Sequence, residues 1–375
     1  MGEGSKGFRR QGGLGMKPPA SFPPFRADHV GSLLRPQALV RARAQKTPDL
    51  KQIQAKAIRE VVAKQEAIGL ESMTDGEFSR DWWHLDFLAQ LEGVTVAQNP
   101  GPKFGGTEEQ PPIPNVTGKL RYSKPVMVED FSFLKSVTKK TAKFTIPSPS
   151  MLHLRAGRAG ISREAYPDLE EFWDDAAKAY RAAIGAFARA GCTYLQLDDV
   201  AFAYLCDPKI RDNCRKNGDD PNTLPETYSK TISRALEKRP PGMTITMHTC
   251  RGNFKSAWVA EGGYEPVAES VFAAGVDGFF MEFDTARAGG FEPLRFVPKG
   301  RKVVLGLVTS KTPELEPKDF IKKRIDQAAK YIALEDLCLS PQCGFSSTHH
   351  GNRLSEAEQW RKLERVVEVA KEVWK

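Results

Sequence analysis

The sequence predicts an α/β protein built as a single (β/α)8 barrel, the TIM-barrel architecture, with a β-hairpin-like insertion. From about residue 26, eight short runs rich in β-branched and aromatic residues alternate with longer amphipathic stretches, as in parallel sheets with crossover helices. Reactive polar side chains follow almost every run, and 375 residues are enough for one large barrel. Because a parallel sheet of eight units buries its edges best by closing, these observations favour a barrel over an open sheet.

The eight predicted strands share β-rich composition and short length. They are Arg26–Ser32, Ser72–Glu77, Ala142–Pro149, Tyr194–Val200, Thr244–Cys250, Gly278–Asp284, Lys302–Val308 and Leu337–Gly344. The stretches between them repeat apolar residues at three- and four-residue spacing, which predicts helices. The predicted helices are Leu50–Ile68, Leu169–Ala190, Glu226–Glu237, Pro266–Ala274, Lys318–Tyr331 and Ser355–Val373.

Two segments interrupt this alternation. Residues of about 92–140 contain Gly-Pro and Pro-Pro breakers followed by mixed polar and apolar residues, which predicts the hairpin-like insertion. The polar segment Asp207–Thr223 is predicted to be a surface loop. No clear linker divides the chain, so we expect one catalytic domain over residues 25–375.

Residues 1–24 are predicted to be a disordered leader, because the first fifteen are rich in glycine and basic side chains without an apolar core. No apolar run approaches the roughly 20 residues that cross a bilayer, so we expect no membrane partner and a cytoplasmic protein. The net charge is +8, but basic side chains are scattered among acidic ones, which argues against a nucleic-acid partner. Six cysteines without a secretory signal indicate reduced thiols and metal ligands.

Four residues at predicted strand ends form a candidate metal site. His248 and Cys250 are two apart on one strand and therefore point to the same face. Glu282 is a carboxylate among aromatic residues, where a cation would offset its burial, and Cys343 supplies a second sulfur. One nitrogen, two sulfurs and one oxygen suit tetrahedral zinc better than calcium or magnesium. The alternative is that these are ordinary core residues, and convergence of the three strand ends that carry them on one rim argues against it.

The sequence resembles the cobalamin-independent methionine synthase family, in the short form that corresponds to its catalytic C-terminal barrel. The resemblance runs from Phe25 to the C-terminus. It is carried by Asp28-His29-Val30-Gly31-Ser32, Thr74-Asp75-Gly76-Glu77-Phe78, Leu197-Asp198-Asp199, His248-Thr249-Cys250-Arg251-Gly252-Asn253, Glu282 and Gln342-Cys343-Gly344.

The resemblance implies that the four residues of the metal site bind zinc and that Ser32, Glu77 and Asp198 hold the amino and carboxylate groups of homocysteine. Glu77 and Asp198, also assigned catalytic roles, would complement an ammonium group, and Ser32 would suit a carboxylate. Strand-end capping and turn formation are the alternative explanation for these three residues. The implied reaction is methyl transfer to the homocysteine thiol, which gives methionine.

The sequence departs from the long-form enzymes after the seventh predicted strand, where Val308-Thr309-Ser310-Lys311 replaces their histidine motif. The methyl donor is therefore left open between methyltetrahydrofolate, a methylcobamide on a corrinoid protein, and a small sulfonium or ester. His349 or His350 could replace the missing acid/base group, or merely hydrogen-bond within a polar loop. The stretch Trp82–His84 is interpreted either as an aromatic wall for a flat donor or as a helix start.

Two other functions remain open from the sequence. One is zinc-dependent alkyl transfer to a different thiol, similar to epoxyalkane:coenzyme M transferase, although that thiol's sulfonate would call for added basic residues. The other is a non-catalytic zinc-binding barrel. Homo-oligomerisation is also left open.

Overall fold

The parallel sheet that the sequence predicts is present, with seven strands. The structure, a computed structural model, describes residues 22–97 and 111–375. Nine strands occur in this part of the chain: β1 Ser72–Met73, β2 Glu92–Ala97, β3 Ile113–Arg121, β4 Thr141–Pro147, β5 Tyr194–Asp199, β6 Thr244–Thr249, β7 Gly278–Glu282, β8 Lys302–Val308 and β9 Leu337–Pro341. The sheet has the order β1-β4-β5-β6-β7-β8-β9, and all its pairs are parallel.

The first predicted strand, Arg26–Ser32, differs from the prediction because only Ala27 forms a β-bridge, to Leu339 of β9. The segment nevertheless contacts both edges of the sheet. The amide of Asp28 donates to the Leu339 carbonyl at 3.0 Å, and the amide of Leu33 donates to the carbonyl of Gly76, beyond β1, at 3.0 Å. Because its hydrogen bonds go first to one edge and then to the other, the segment forms no regular ladder with either.

Eleven α-helices occur in the described residues, most of them packed outside the sheet. They are α1 Gln37–Ala44, α2 Leu50–Ala67, α3 Leu85–Leu88, α4 Val128–Ser136, α5 Leu169–Arg189, α6 Ala201–Tyr204, α7 Pro208–Lys216, α8 Leu224–Leu236, α9 Ala268–Phe272, α10 Lys318–Ala328 and α11 Glu356–Val373. Local chemistry sets their starts. The Asp168 carboxylate caps α5, and Ser355 and Glu358 form a reciprocal capping box at α11.

Two predicted irregular segments contain helices. The predicted loop Asp207–Thr223 includes α7, because Asp207 caps its first turn and Pro208 occupies the first helical position. In the predicted insertion, β2 and β3 pair antiparallel, and α4 follows them. Residues 98–110, between β2 and β3, lie outside the described part of the chain. So do residues 1–21 of the predicted leader.

Burial of apolar side chains holds the layers together. The strand interiors are fully buried, as the pattern over β5 and β7 shows, and the inner faces of α5 and α11 cover them. One charged pair lies inside this core, where the Lys143 ammonium contacts the Asp28 carboxylate at 3.2 Å. Within the described residues, none of the helices is both long and apolar enough to span a membrane.

Candidate active site

The carboxyl ends of three strands bring together four side chains that could hold a metal ion. His248 lies in β6, Cys250 directly follows it, Glu282 ends β7, and Cys343 follows β9. Their ligand atoms all lie within 4.8 Å of one another. All four are buried, with Glu282 completely so. Because parallel strands end at one rim, the sheet itself sets this convergence.

The donor set fits a zinc ion. The Nε2 atom of His248 is buried and has no hydrogen-bond partner among the described residues, while Nδ1 lies 3.5 Å from Asp198 Oδ1. A carboxylate on one ring nitrogen orients the imidazole and leaves the other for a metal. The sulfurs of Cys250 and Cys343 are 3.4 Å apart, and two sulfurs with a nitrogen and an oxygen are typical zinc ligands.

Of the two thiols, that of Cys343 loses its proton more easily. The hydrogen bond from Cys250 lowers the pKa of Cys343 to about 5, and the same contact raises the pKa of Cys250 well above its usual range. A thiolate is the form of cysteine that binds metal ions. A cation between the two sulfurs would stabilise both as thiolates and remove the cost of sharing a proton.

Glu282 stays ionised despite its burial. Burial raises its pKa, but Lys311, Arg251 and Arg287 together hold that pKa below its ordinary value. The backbone amide of Arg251 donates to Glu282 Oε1 at 3.2 Å, and Gln342 Nε2 donates to the same oxygen at 3.3 Å. The Glu282 carboxylate is therefore available as an anionic ligand. Its position is fixed by Arg251 and Gln342, which are not among the four candidate ligands.

A cavity opens beside the cluster of four candidate ligands. Its lining includes the three residues predicted to bind the substrate, Ser32, Glu77 and Asp198, together with His248 and two cysteines of the cluster. The sequence therefore predicted residues from five separate chain segments that share one cavity.

Glu77 is an unusual carboxylate. Its backbone φ is +61°, and its Oε1 atom accepts a hydrogen bond from Thr145 at 3.1 Å. Its Oε2 atom is buried without a hydrogen-bond partner among the described residues. Burial, together with nearby Asp198, raises the pKa of Glu77 to about 7 against the opposing effect of Arg80 and Arg35. An unpartnered buried oxygen in a cavity is suited to a cationic ligand.

Two contacts position the other predicted substrate residues. Asp198 Oδ1 accepts from Gln196 Nε2 at 2.7 Å, so one edge of the carboxylate is anchored in β5. The hydroxyl of Ser32 accepts from the Ser346 amide at 3.3 Å. A Cβ atom on Gly344 would lie 2.0 Å from the Ser32 hydroxyl oxygen, so the loop after Cys343 approaches Ser32 only because that residue is glycine.

A buried arginine connects the loops that carry these groups. The Arg35 guanidinium donates to the carbonyls of Glu77 and Arg80 at 2.9 Å. It also donates to the carbonyls of Ser346 and Thr348. The two terminal nitrogens of one planar group thus hold the loop after β1 against the loop after β9. This role was not predicted, since a lone arginine in a proline-containing segment carries no distinctive sequence signal.

His349 lies behind the cavity wall. The structure does not place it among the residues that line the cavity. Its ring packs edge-on against Trp82 with 5.7 Å between ring centroids and lies tilted against His350 with 3.8 Å between centroids. Trp82, Trp83 and His84 do line the cavity, and helix α3 begins only at Leu85. An acid/base role for His349 therefore stays a prediction.

Arg155 and Tyr204 also line the cavity and were not predicted. Arg155 follows the 3₁₀ helix Pro149–Leu152 beyond β4, and Tyr204 ends α6 beyond β5. Position after a strand was their only sequence signal, and it is shared by many residues without a role.

The chain is similar to several known proteins. The family model of the cobalamin-independent synthase catalytic domain matches residues 35–372. The uncharacterised protein YxjG of Bacillus subtilis is 47% identical over 364 residues, which cover 94% of this chain and 96% of that protein. A methionine synthase of Pyrococcus abyssi is 24% identical over 324 residues, 84% of each chain. The crystal structure of a candidate vitamin-B12-independent methionine synthase from Listeria monocytogenes is 40% identical, with a TM-score of 0.76 over 94% of this chain and 98% of that one.

Proposed function

Because the chain belongs to the cobalamin-independent methionine synthase family, we propose that it transfers a methyl group to the thiol of homocysteine and so makes methionine. In this proposal His248, Cys250, Glu282 and Cys343 hold a zinc ion. One observation carries it: three of the four mutually close donors of zinc-binding type, His248, Cys250 and Cys343, line a cavity that two carboxylates suited to an ammonium group also line.

We also infer that the barrel is closed. The segment of residues 26–33 bonds to β9 on one side and to the backbone beyond β1 on the other, so it occupies the place of an eighth strand. Closure would seat Ser32 at the same rim as the seven strand ends. The antiparallel pair β2–β3 is then an insertion that decorates this barrel.

When bound, zinc would lower the pKa of a coordinated thiol, so that the thiolate forms at neutral pH. Asp198 would hold the His248 ring with Nε2 toward the cluster. Glu77 Oε2 and the free edge of Asp198 would accept hydrogen bonds from the substrate ammonium. This would place the substrate sulfur beside the four proposed metal ligands. The substrate sulfur would form a bond to the methyl carbon. The bond between that carbon and the methyl donor would break, and the donor would keep its electron pair.

The same geometry favours this proposal over alkyl transfer to a different thiol and over a non-catalytic zinc site. A thiol that carries a sulfonate and no ammonium, such as 2-mercaptoethanesulfonate, would leave Glu77 and Asp198 without a counter-charge. Burying unpaired carboxylates beside a second anion is unfavourable. A storage or structural zinc site would have no need of an adjoining cavity, because such sites are closed by four protein ligands.

X-ray absorption at the zinc K-edge tests the proposal directly. Zinc-loaded protein should show two sulfur ligands alone and an additional sulfur after saturation with L-homocysteine. 2-Mercaptoethanesulfonate at the same concentration is the matched control and should change the spectrum less. An unchanged spectrum with homocysteine would contradict a catalytic role for the metal site.

Turnover identifies the donor. Methionine formation should be measured with homocysteine and each of three donors: methyltetrahydrofolate monoglutamate, its polyglutamates, and methylcobalamin. Production of methionine from at least one donor class is expected. Failure with all of them, alongside production of a different thioether from another thiol, would favour the alkyl-transfer alternative.

A further inference from the structure

One wall of the cavity carries a positive charge that the proposed function does not use. Arg155 lines the cavity, and within the described residues no carboxylate lies within 4.0 Å of its guanidinium nitrogens. Its Nη1 atom lies 3.0 Å from His84 Nε2, and its Nε atom is buried without a hydrogen-bond partner in that part of the chain. A guanidinium group sheltered from water without a counter-charge is unfavourable unless a ligand supplies one.

His84 adds a second unused donor. Its side chain is completely buried, and burial together with Arg155 lowers its pKa well below the ordinary value, so the ring is neutral. Because Nε2 accepts from the arginine, the ring proton belongs on Nδ1. The Nδ1 atom is buried and has no partner among the described residues.

Tyr204 adds a third unused hydrogen-bond donor. It is 4% exposed, and its hydroxyl is buried without a partner in the described part of the chain. Burial raises its pKa, so the hydroxyl stays protonated and can donate. Arg155 and Tyr204 line the same cavity as Cys250 and Cys343, which places this wall close to the proposed metal ligands.

We propose that Arg155, His84 and Tyr204 form a carboxylate-binding subsite of the cavity. A guanidinium group matches the two oxygens of a carboxylate, and the tyrosine and histidine protons can complete its coordination. The subsite is opposite in charge to Glu77 and Asp198, so it selects an anionic group and repels a sulfonium. The identity of the acceptor rests on the proposed function, but the existence of the subsite does not.

The carboxylate can come from two sources, the amino-acid thiol or the methyl donor. Binding measurements on zinc-loaded full-length protein distinguish them, with isothermal titration calorimetry as the readout. The probes are L-homocysteine, its decarboxylated analogue 3-aminopropane-1-thiol, and glutarate added to the homocysteine complex. The variants are Arg155→Gln, Arg155→Lys and Tyr204→Phe, with Arg121→Gln on the exposed hairpin as the charge-loss control.

If the acceptor supplies the carboxylate, Arg155→Gln should weaken homocysteine binding by at least about tenfold and leave the decarboxylated analogue unchanged. If the donor supplies it, homocysteine should bind equally to both proteins, and glutarate should bind the wild-type complex at least about tenfold more tightly than the variant complex. In either case Arg155→Lys should recover part of the loss and Arg121→Gln should have no effect.

Two results would overturn the subsite. One is that Arg155→Gln changes the binding of neither homocysteine nor glutarate. The other is that it weakens homocysteine and 3-aminopropane-1-thiol equally, because the arginine would then support the fold of the cavity and not a carboxylate. These measurements need no turnover, so an absence of methionine formation would count against the proposed function and leave the subsite test intact.

Discussion

Replacing Glu77 with glutamine should make the protein more stable and worse at binding its substrate. In the folded protein burial keeps the proton on Glu77 up to a pH of about 7, whereas the ordinary value is 4.5. The stability contribution of this group is therefore complete below pH 4.5 and is lost as the pH rises through 7. At pH 8 the ionised side chain costs up to about 3 kcal/mol, since each pKa unit corresponds to about 1.36 kcal/mol.

The glutamine amide carries no charge, so Glu77→Gln should gain up to about 3 kcal/mol in unfolding free energy at pH 8 and little at pH 4. The ammonium of homocysteine loses its charged partner, which should weaken binding by roughly 10- to 100-fold. Urea unfolding at both pH values and calorimetric titration of zinc-loaded protein measure the two effects. Glu71→Gln is the matched control, because Glu71 is an exposed partner of Lys140 and its loss should change stability by less than about 1 kcal/mol.

The reasoning would be refuted if Glu77→Gln were less stable than the wild type at pH 8. It would also be refuted if the variant bound homocysteine with unchanged affinity. The first result would mean that Arg80 and Arg35 stabilise the ionised carboxylate by more than its burial costs, and the second that the ammonium binds elsewhere in the cavity.

Three further outcomes are expected. Cys343→Ser should lose zinc by atomic absorption while Cys338→Ser, which alters a buried thiol outside the donor cluster, keeps it; full zinc occupancy in Cys343→Ser would remove that residue from the site. Gly344→Ala should cost about 1–3 kcal/mol in chemical unfolding, because the new methyl group would lie 2.0 Å from the Ser32 hydroxyl, and an unchanged midpoint would show that this loop can move. Homocysteine affinity of the wild type should fall as the pH drops below about 7, where Glu77 becomes protonated, and parallel pH profiles for wild type and Glu77→Gln would exclude that carboxylate as the titrating group.

Much of the site follows from short-range patterns. His248 and Cys250 are two residues apart at the end of a strand, so the pleat alone places them on one face. Predicted and observed limits agree closely for β6 and are identical for β8, whose nearly continuous apolar sequence is typical of a buried parallel strand. The helix starts at α5 and α11 likewise follow from their capping residues.

Two segments differ from their prediction. Arg26–Ser32 has strand-like composition, but its backbone divides its hydrogen bonds between two edges of the sheet, which distant segments provide. The polar segment Asp207–Thr223 contains a helix because a capping aspartate and a proline outweigh its lack of apolar residues. The acid/base role of His349 stays a prediction, and its ring packs against Trp82, a contact between loops more than 250 residues apart in the chain.

The sequence by itself determined which side chains stand at the strand ends, and hence the identity of the four proposed metal ligands, because strand periodicity and the direction of parallel strands are local properties. Only the tertiary structure decided how these side chains are charged and what surrounds them. The raised pKa of Glu77 and the guanidinium of Arg155 without an acidic partner among the described residues depend on burial and on neighbours from distant segments. Burial and through-space charge are fixed by packing, and no pattern along the chain encodes them residue by residue.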